Sequence, residues 1–331
     1  MAVYTSVDDE ALAAFLSDYD IGTLLSAKGI AEGVENTNYL VRTTGGTFVL
    51  TLYEQRVDPA ELPFFVALME HCADRGLKTP RPVPRRDGAR LSRLCGRHAA
   101  IVTFLDGVAV RRPGPHHCAE LGRGLAALHR ATADFAMARP NGLGHQSWAP
   151  LFAQSRQEAD SVMPGLAALV DDELDVLAAR WPEGLPTGVI HADLFPDNAF
   201  FVGRALSGII DFYFACNDIL AYDLAVCLNA WCFEEDGAFN VTKARAMITA
   251  YSAMRPLSGA EIEALPILAR GAALRFCLTR LHDWLRVPPN ALVTPKDPKP
   301  YADRLRFHRA VRGPSDYGLD TAASGAAGRV A

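Results

Sequence analysis

Lysine is scarce in this chain of 331 residues. Only five occur (Lys28, Lys78, Lys243, Lys296 and Lys299), so arginine carries most of the 33 basic side chains. The net charge is −5, without the basic excess that phosphate backbones select, and no nucleic-acid partner is expected. The seven cysteines (72, 95, 118, 216, 227, 232 and 277) include no Cys-x-x-Cys pair. An odd, unpatterned set argues for reduced thiols and against a disulfide frame or a zinc site. No uncharged apolar run reaches the length of a membrane span, and the first ten residues have neither a basic n-region nor an apolar h-region. A soluble, cytoplasmic protein without a membrane partner is the expectation. What is present is ordinary for a globular chain: half the residues are hydrophobic and 21% are charged. The length suits one large domain or two modest ones.

The most informative stretch is His191-Ala-Asp193-Leu-Phe-Pro-Asp197-Asn198, followed by Ile209-Ile-Asp211. The apolar run Gly188-Val-Ile190 leads in. A short strand Ala199–Val202, a turn at Gly203-Arg204 and a second strand from Leu206 to Ile210 follow. Two Asp and one Asn then converge at the mouths of adjacent strands. Protein kinases carry this constellation, with Asp and Asn five residues apart and a second Asp after a hairpin. Phosphoryl transfer needs positioning and charge neutralisation more than covalent work, which explains the residue types. Asp193 would accept or orient the proton of an attacking hydroxyl. Asn198 and Asp211 offer hard oxygen ligands for Mg²⁺. His191 would tie the loop down through its ring nitrogens and is grouped with Asp193 in the catalytic set. Polar residues at strand ends also occur without function, because Asp and Asn favour turns.

Upstream, Ser6-Val-Asp-Asp9 precedes Leu12, Phe15, Leu16 and Tyr19, which predicts a capped amphipathic helix. Strands are expected over 23–30, 37–44 and 47–54, the last two joined by Gly45-Gly46. A helix from Asp58-Pro59 to Gly76 and strands over 89–94 and 98–105 complete a lobe. The fold class is therefore α+β. The expected architecture is a protein-kinase-like two-lobe fold, with an antiparallel sheet of about five strands in a small lobe and a larger, mainly helical lobe. The expected division is 1–105 for nucleotide binding, 106–312 for catalysis and substrate, and 313–331 as a flexible tail. Helices are expected near 171–180, 218–233, 241–254 and 259–286.

Within the small lobe, Gly33, Asn36, Thr37 and Asn38 occupy a turn between strands where backbone N–H groups could meet phosphate oxygens. Gly and Asn suit an ordinary hairpin equally well. Thr103 and Leu105, at the end of the last strand, would meet adenine as a hinge. Thr51 stands where a protein kinase has its phosphate-binding lysine. Either Lys28, Arg42 or Arg56 substitutes, or nucleotide binding leans on metal and backbone, and neither Glu61 nor Glu70 can take the usual ion-pair role.

On these residues the chain resembles the aminoglycoside phosphotransferase and choline kinase superfamily. The signature is His191-x-Asp193-x4-Asn198 with Asp211, supported by Leu121-Gly-x-x-Leu125-Ala-x-Leu128-His129 and Asp223-Leu-Ala. Within it the chain is most similar to the bacterial homoserine kinase subfamily. That similarity rests on Glu32-Gly-Val-Glu-Asn-Thr-Asn-Tyr39, Phe48-Val-Leu-Thr-Leu-Tyr-Glu54, Leu62-Pro-Phe-Phe65, Arg275-Phe-x-x-x-Arg280-Leu and Lys296-Asp-Pro298. It covers about residues 1–312, and in that subfamily a Thr on the third strand is familiar. The resemblance implies ATP and Mg²⁺ as cofactors, L-homoserine as acceptor, and a monomer or homodimer. An amino-acid pocket needs a cation and an opposing acidic or carbonyl group. Arg275, Arg280 and Trp231 are candidates, although Arg280 with Asp283 could equally form a local ion pair, and Trp231 and Trp284 could be core. Asp218 and Asp223 read as structural, capping a helix or bracing the loop. Kinases of choline, aminoglycosides or methylthioribose, and a catalytically dead nucleotide-binding module, are the alternatives.

Overall fold

The computed structural model describes residues 5–30, 36–54, 58–287 and 295–319. Helix α1 (Asp9–Leu16) starts where Asp8 accepts from the Ala11 N–H, and it buries Leu12, Phe15 and Leu16. Strands β1 (Leu24–Ile30), β2 (Thr37–Thr43) and β3 (Gly46–Tyr53) follow. Helix α2 (Leu62–Asp74), β4 (Ser92–Leu94) and β5 (Arg97–Thr103) complete a five-stranded antiparallel sheet in the order β1-β2-β3-β5-β4. Cys95-Gly96 turns β4 into β5 with both residues at positive φ, the backbone that a two-residue turn between twisted strands demands.

Period-two alternation gives the sheet two different faces. Tyr39, Val41, Leu50, Leu52 and Ile101 pack with α1 in a core of their own. Residues of opposite parity, such as Ala100 and Val102, join α2 and the main core. Two boundaries differ from expectation. Helix α2 begins at Leu62, because Asp58 to Glu61 close a turn first. Strand β4 is short, because Arg85 bonds to the Ala89 carbonyl across a tight turn at Gly88.

The rest is mainly helical. After β6 (Val108–Ala109) come α3 (Pro115–Ala131), α4 (His145–Ala153), α5 (Ala159–Val162) and α6 (Leu166–Arg180). Strands β7 (Thr187–Ile190), β8 (Ala199–Val202), β9 (Ala205–Ile209) and β10 (Cys216–Ile219) frame the Asp193 loop. They form a β10-β7 pair and a β6-β8-β9 sheet. Helices α7 (Leu220–Trp231), α8 (Val241–Met254), α9 (Gly259–Leu285) and α10 (Lys299–Ala310) close the lobe. Helix α9 opens on a capping box, Ser258 with Glu261, and its middle is almost wholly buried. Gly122 lets α3 touch α8, since a Cβ there would stand 2.3 Å from the Met247 carbonyl oxygen. That approach aligns His129 with Tyr251.

The two parts meet through α2. Glu61 receives Arg139 of the large lobe at 2.7 Å, and that guanidinium lies 5.0 Å from the centre of the Phe65 ring. Residues 313–319, expected within a flexible tail, are packed instead. Tyr317 is fully buried against His308, and Arg245 donates to the Gly318 carbonyl. The remainder, 320–331, lies outside the described residues.

Candidate active site

The loop after β7 is built on backbone strain held by buried partners. Ala192 (φ 63°) and Asp211 (φ 64°) both adopt the left-handed region that side chains with a Cβ avoid. His191 is fully buried. Its Nε2 lies 2.9 Å from the Ile210 carbonyl, and its Nδ1 lies 3.3 Å from the Asp193 N–H. That pattern defines a neutral ring, with Nε2–H donating and Nδ1 accepting. Burial pushes the His191 pKa below its ordinary value, against the opposing pull of Asp223. Tying down the loop through both ring nitrogens is the geometry the sequence suggested.

Asn198 closes a single 3-10 turn, Pro196–Asn198. Its amide nitrogen donates to the Asp193 carbonyl at 2.8 Å and lies 3.4 Å from Asp193 Oδ2. The amide is therefore oriented by the loop, and among the described residues Oδ1 accepts no hydrogen bond. The Ile210 N–H donates to the Asn198 carbonyl at 3.0 Å, and Ala199 pairs with Ile209. Asn198 and Asp211 thus emerge side by side from the β8–β9 hairpin. Asp211 is open to solvent on one side, yet protein crowding raises its pKa against the pull of His191 and Lys296. An amide oxygen and a carboxylate beside a second carboxylate, Asp193, form a hard donor set that suits a divalent cation completed by water and phosphate oxygens.

Beneath the loop lies bracing that sequence reasoning only partly foresaw. Asp223 accepts the His191 N–H at 2.7 Å and the Ala192 N–H at 2.9 Å, and it lies 3.1 Å from His129 Nε2. His129 Nδ1 meets the Tyr251 hydroxyl at 2.7 Å, and Tyr251 meets Arg255, which pairs with Glu261. Burial raises the Asp223 pKa, but the hydrogen bond from His129 and the neighbouring histidines and N–H groups outweigh it and hold it below the usual carboxylate range. Asp218, the other acid read as structural, accepts from Asn141 at 2.6 Å.

Two candidate substrate residues belong to this bracing instead. Arg275 is 2% exposed and donates through Nη1 to the Ala192 carbonyl, with its guanidinium 4.5 Å from the Phe276 ring centre. Trp231 is 1% exposed, and its Nε1 donates to the Leu194 carbonyl at 2.8 Å. Both sit under the loop, where a substrate does not reach. Their spacing on helices could not reveal which face the loop would cover. Arg280 is placed differently. It lies over the Tyr301 ring at 4.3 Å, donates to the Asp297 carbonyl, and feels the charge of Asp193.

In the small lobe, Gly33 lies outside the described residues. Asn36 and Thr37 are corrections. Both are buried, with Asn36 Oδ1 accepting the Glu54 N–H at 3.3 Å and Thr37 Oγ1 donating to Glu54 Oε1 at 2.8 Å. These side chains stitch β2 to the end of β3, which removes them from phosphate contact. Asn38 is half-buried, and its Oδ1 accepts from Thr51 Oγ1 at 2.8 Å across the β2–β3 pair. The position without a lysine is thus filled by a Thr–Asn pair. Tyr213 stands nearby, meeting Tyr53 hydroxyl to hydroxyl at 3.1 Å. At the hinge, the N–H and Oγ1 of Thr103 are both taken by Arg81. Leu105 keeps a backbone N–H and carbonyl that no described residue pairs.

Helix α10 was missed. Its signal was available in Tyr301, Leu305 and His308, spaced for one helical face behind two prolines. A separate cavity of about 580 Å³, near Arg180, Glu263 and Arg312, shares no residue with the Asp193 loop.

An Asp–Asn–Asp set on the loops of β7, β8 and β9, in a chain that also carries a five-stranded antiparallel sheet, is the arrangement of a kinase-like phosphotransferase. The family model described as "Phosphotransferase enzyme family" matches residues 26–257. A homoserine kinase of Xanthobacter autotrophicus is 66% identical over 96% of this chain and 99% of its own. A homoserine kinase of Parvibaculum lavamentivorans is 62% identical over 97% of this chain and 100% of its own. The chain belongs to this phosphotransferase family and, within it, to the homoserine kinases. Among solved structures, a microcompartment-associated aminopropanol kinase is 21% identical, with a TM-score of 0.68 over 95% of this chain and 99% of that one. At that identity the likeness speaks for the fold.

Proposed function

We propose that this chain transfers the terminal phosphoryl group of ATP to the hydroxyl of L-homoserine, giving ADP and O-phospho-L-homoserine. The observation that carries this is identity of 62–66% with homoserine kinases along nearly the whole chain. The intact Asp193, Asn198 and Asp211 geometry supports it and speaks against a dead nucleotide-binding module. We place the nucleotide on residues 1–105 and the acceptor on the lobe that begins at Asp106. Seven free thiols, six of them buried, suit a cytoplasmic location.

Asp193 accepts a hydrogen bond from the acceptor hydroxyl and takes its proton as the oxygen attacks phosphorus. The Asn198 amide, fixed by its bond to the Asp193 carbonyl, would offer Oδ1 to a divalent ion, and the Asp211 carboxylate would be its second protein ligand. We assign that ion as Mg²⁺, which when bound neutralises charge on the phosphates. His191 positions the loop and does not exchange protons with substrate. Asn38 lines the phosphate side of the sheet with Thr51. Lys28 and Arg42 lie on that same face by strand register, so they are the cations we place nearest the nucleotide. Leu105 supplies the backbone edge for adenine.

An assay of ADP release over L-homoserine, choline, an aminoglycoside and methylthioribose tests the acceptor. Homoserine is expected to be preferred, and turnover of choline with none of homoserine would overturn the assignment. Asp193→Ala is expected to reduce kcat by roughly 10²–10⁴-fold with an unchanged unfolding transition. Wild-type turnover in that variant would refute the role given to Asp193.

A further inference from the structure

Two guanidiniums meet around one buried phenol beside the Asp193 loop. Arg280 of α9 lies 4.3 Å, and Arg304 of α10 lies 4.4 Å, from the centre of the Tyr301 ring. Arg304 also lies 5.1 Å from the Phe233 ring centre. Among the described residues neither arginine has a carboxylate within ion-pair distance. The undescribed segment between them, 288–294, contains no acidic residue. Among the described residues Arg280 donates to the Asp297 carbonyl, at 3.3 Å. The Tyr301 hydroxyl is fully buried and, among the described residues, has no hydrogen-bond partner.

Every free group here is a donor. A guanidinium has five N–H groups and no acceptor, and among the described residues the phenol O–H finds nothing to donate to. Holding two like charges together, half out of water, is unfavourable unless an anion joins them. Burial and the Arg304 charge both lower the Arg280 pKa, while Tyr301 and Asp193 raise it, which marks a cation under electrostatic stress close to the reacting carboxylate. A planar anion with four lone-pair sites would satisfy the arrangement, and guanidinium forks fit carboxylates in that manner.

We propose that Arg280 and Arg304, closing on Tyr301, form the carboxylate subsite for the acceptor amino acid. This deepens the function proposed above and rests on it for the identity of that acceptor. It replaces Arg275 with Arg304 as the second cation of the substrate pocket. The subsite lies on the Asp193 side of the loop. Lys296, whose charge acts on Asp211 and whose Nζ is 5.5 Å from the Phe195 ring centre, stands on the phosphate side. Two unpaired arginines also set the class of acceptor: they draw in carboxylate-bearing alcohols and repel purely cationic ones such as choline.

The test compares L-homoserine with 3-aminopropan-1-ol, the same molecule with hydrogen in place of the carboxylate. In Arg280→Gln and Arg304→Gln, KM for L-homoserine should rise roughly 10- to 100-fold. KM for ATP should stay within about threefold of wild type, and kcat/KM for 3-aminopropan-1-ol, a cation that the arginines repel, should not fall and is expected to rise. Arg304→Lys, which keeps charge but loses the fork, should recover part of the loss. An equal loss on both acceptors, a rise in KM for ATP in place of homoserine, or no recovery by lysine would overturn the subsite. Calorimetric binding of L-2-aminobutyrate, homoserine without its hydroxyl, separates this proposal from the previous one. Binding lost in the glutamine variants supports the subsite even where homoserine is not phosphorylated, and binding equal to wild type overturns it.

Discussion

Asp223 holds His191 by its backbone: the carboxylate accepts the His191 N–H at 2.7 Å and, through its other oxygen, the Ala192 N–H at 2.9 Å. The position of Asp193 is thus set from below by a fully buried charge on α7. The same carboxylate receives His129, and the chain of donors runs on through Tyr251 to Arg255. Replacing Asp223 with Asn puts an N–H₂ group where only acceptors fit. Urea unfolding of Asp223→Asn should show a loss of about 3 kcal/mol, with kcat falling at the same time. A variant as stable as wild type would mean that the loop holds its shape without this carboxylate.

Arg275 offers a cleaner separation of bracing from binding. Its Nη1 supports the carbonyl of strained Ala192, and the side chain does not reach the cleft. Arg275→Met keeps the bulk and removes that bond. Misplacing Asp193 by a fraction of an ångström should lower kcat by roughly 10- to 100-fold, while KM for homoserine stays within twofold. Steady-state kinetics decide the matter. A large rise in KM with kcat preserved would return Arg275 to the substrate pocket.

Thr51 bears on the missing lysine. It is 3% exposed and bonded to Asn38, with Tyr213 close by. Thr51→Lys, the change that would restore the protein-kinase residue, is expected to destabilise the fold by roughly 2 kcal/mol or more and not to raise activity. Thr51→Val should cost about 1 kcal/mol through the unpaired Asn38 carbonyl. Thermal unfolding and the ADP-release assay measure both. Faster turnover in the lysine variant would mean that the site has room for the cation after all.

His308 makes a prediction about acid. It is fully buried between Tyr317 and Asn229, and burial, aided by the charges of Arg304 and Arg270, pushes its pKa down to about 3. The unfolded chain binds the proton near the ordinary value of about 6.5, so the unfolded state gains protons first as pH falls. Stability from this group is therefore complete above about pH 6.5–7 and declines below it, by about 2 kcal/mol on reaching pH 5. His191, also lowered by burial, adds in the same direction. Denaturant unfolding of His308→Gln should show a shallower loss between pH 7 and 5 than wild type. Parallel curves for the two proteins would refute the assignment.

Much of this molecule was legible in residue order alone, and the reason is locality. The hairpin at Cys95-Gly96, the capped α1, the β8–β9 hairpin and the Asp193, Asn198 and Asp211 spacing depend on neighbours within about twenty positions, so turn chemistry and periodicity suffice to find them. Glu54 shows where this stops. Asn36 and Thr37 look like phosphate ligands until β2 pairs with β3 and brings Glu54 against them, its backbone N–H on Asn36 and its carboxylate on Thr37.

By itself the sequence determined the class: two lobes, a phosphotransfer loop and its acidic and amide side chains. Tertiary structure alone decided where the arginines of α9 and α10 lie. Arg275 and Arg280 are five residues apart on one helix, and helical geometry turns them to different surroundings, one under the loop and one toward α10. Their roles separate only when α7, α9 and α10 pack together. Burial then matches Arg275 to a backbone carbonyl, while Arg280 and Arg304 both lie against the Tyr301 ring and, among the described residues, pair with no carboxylate.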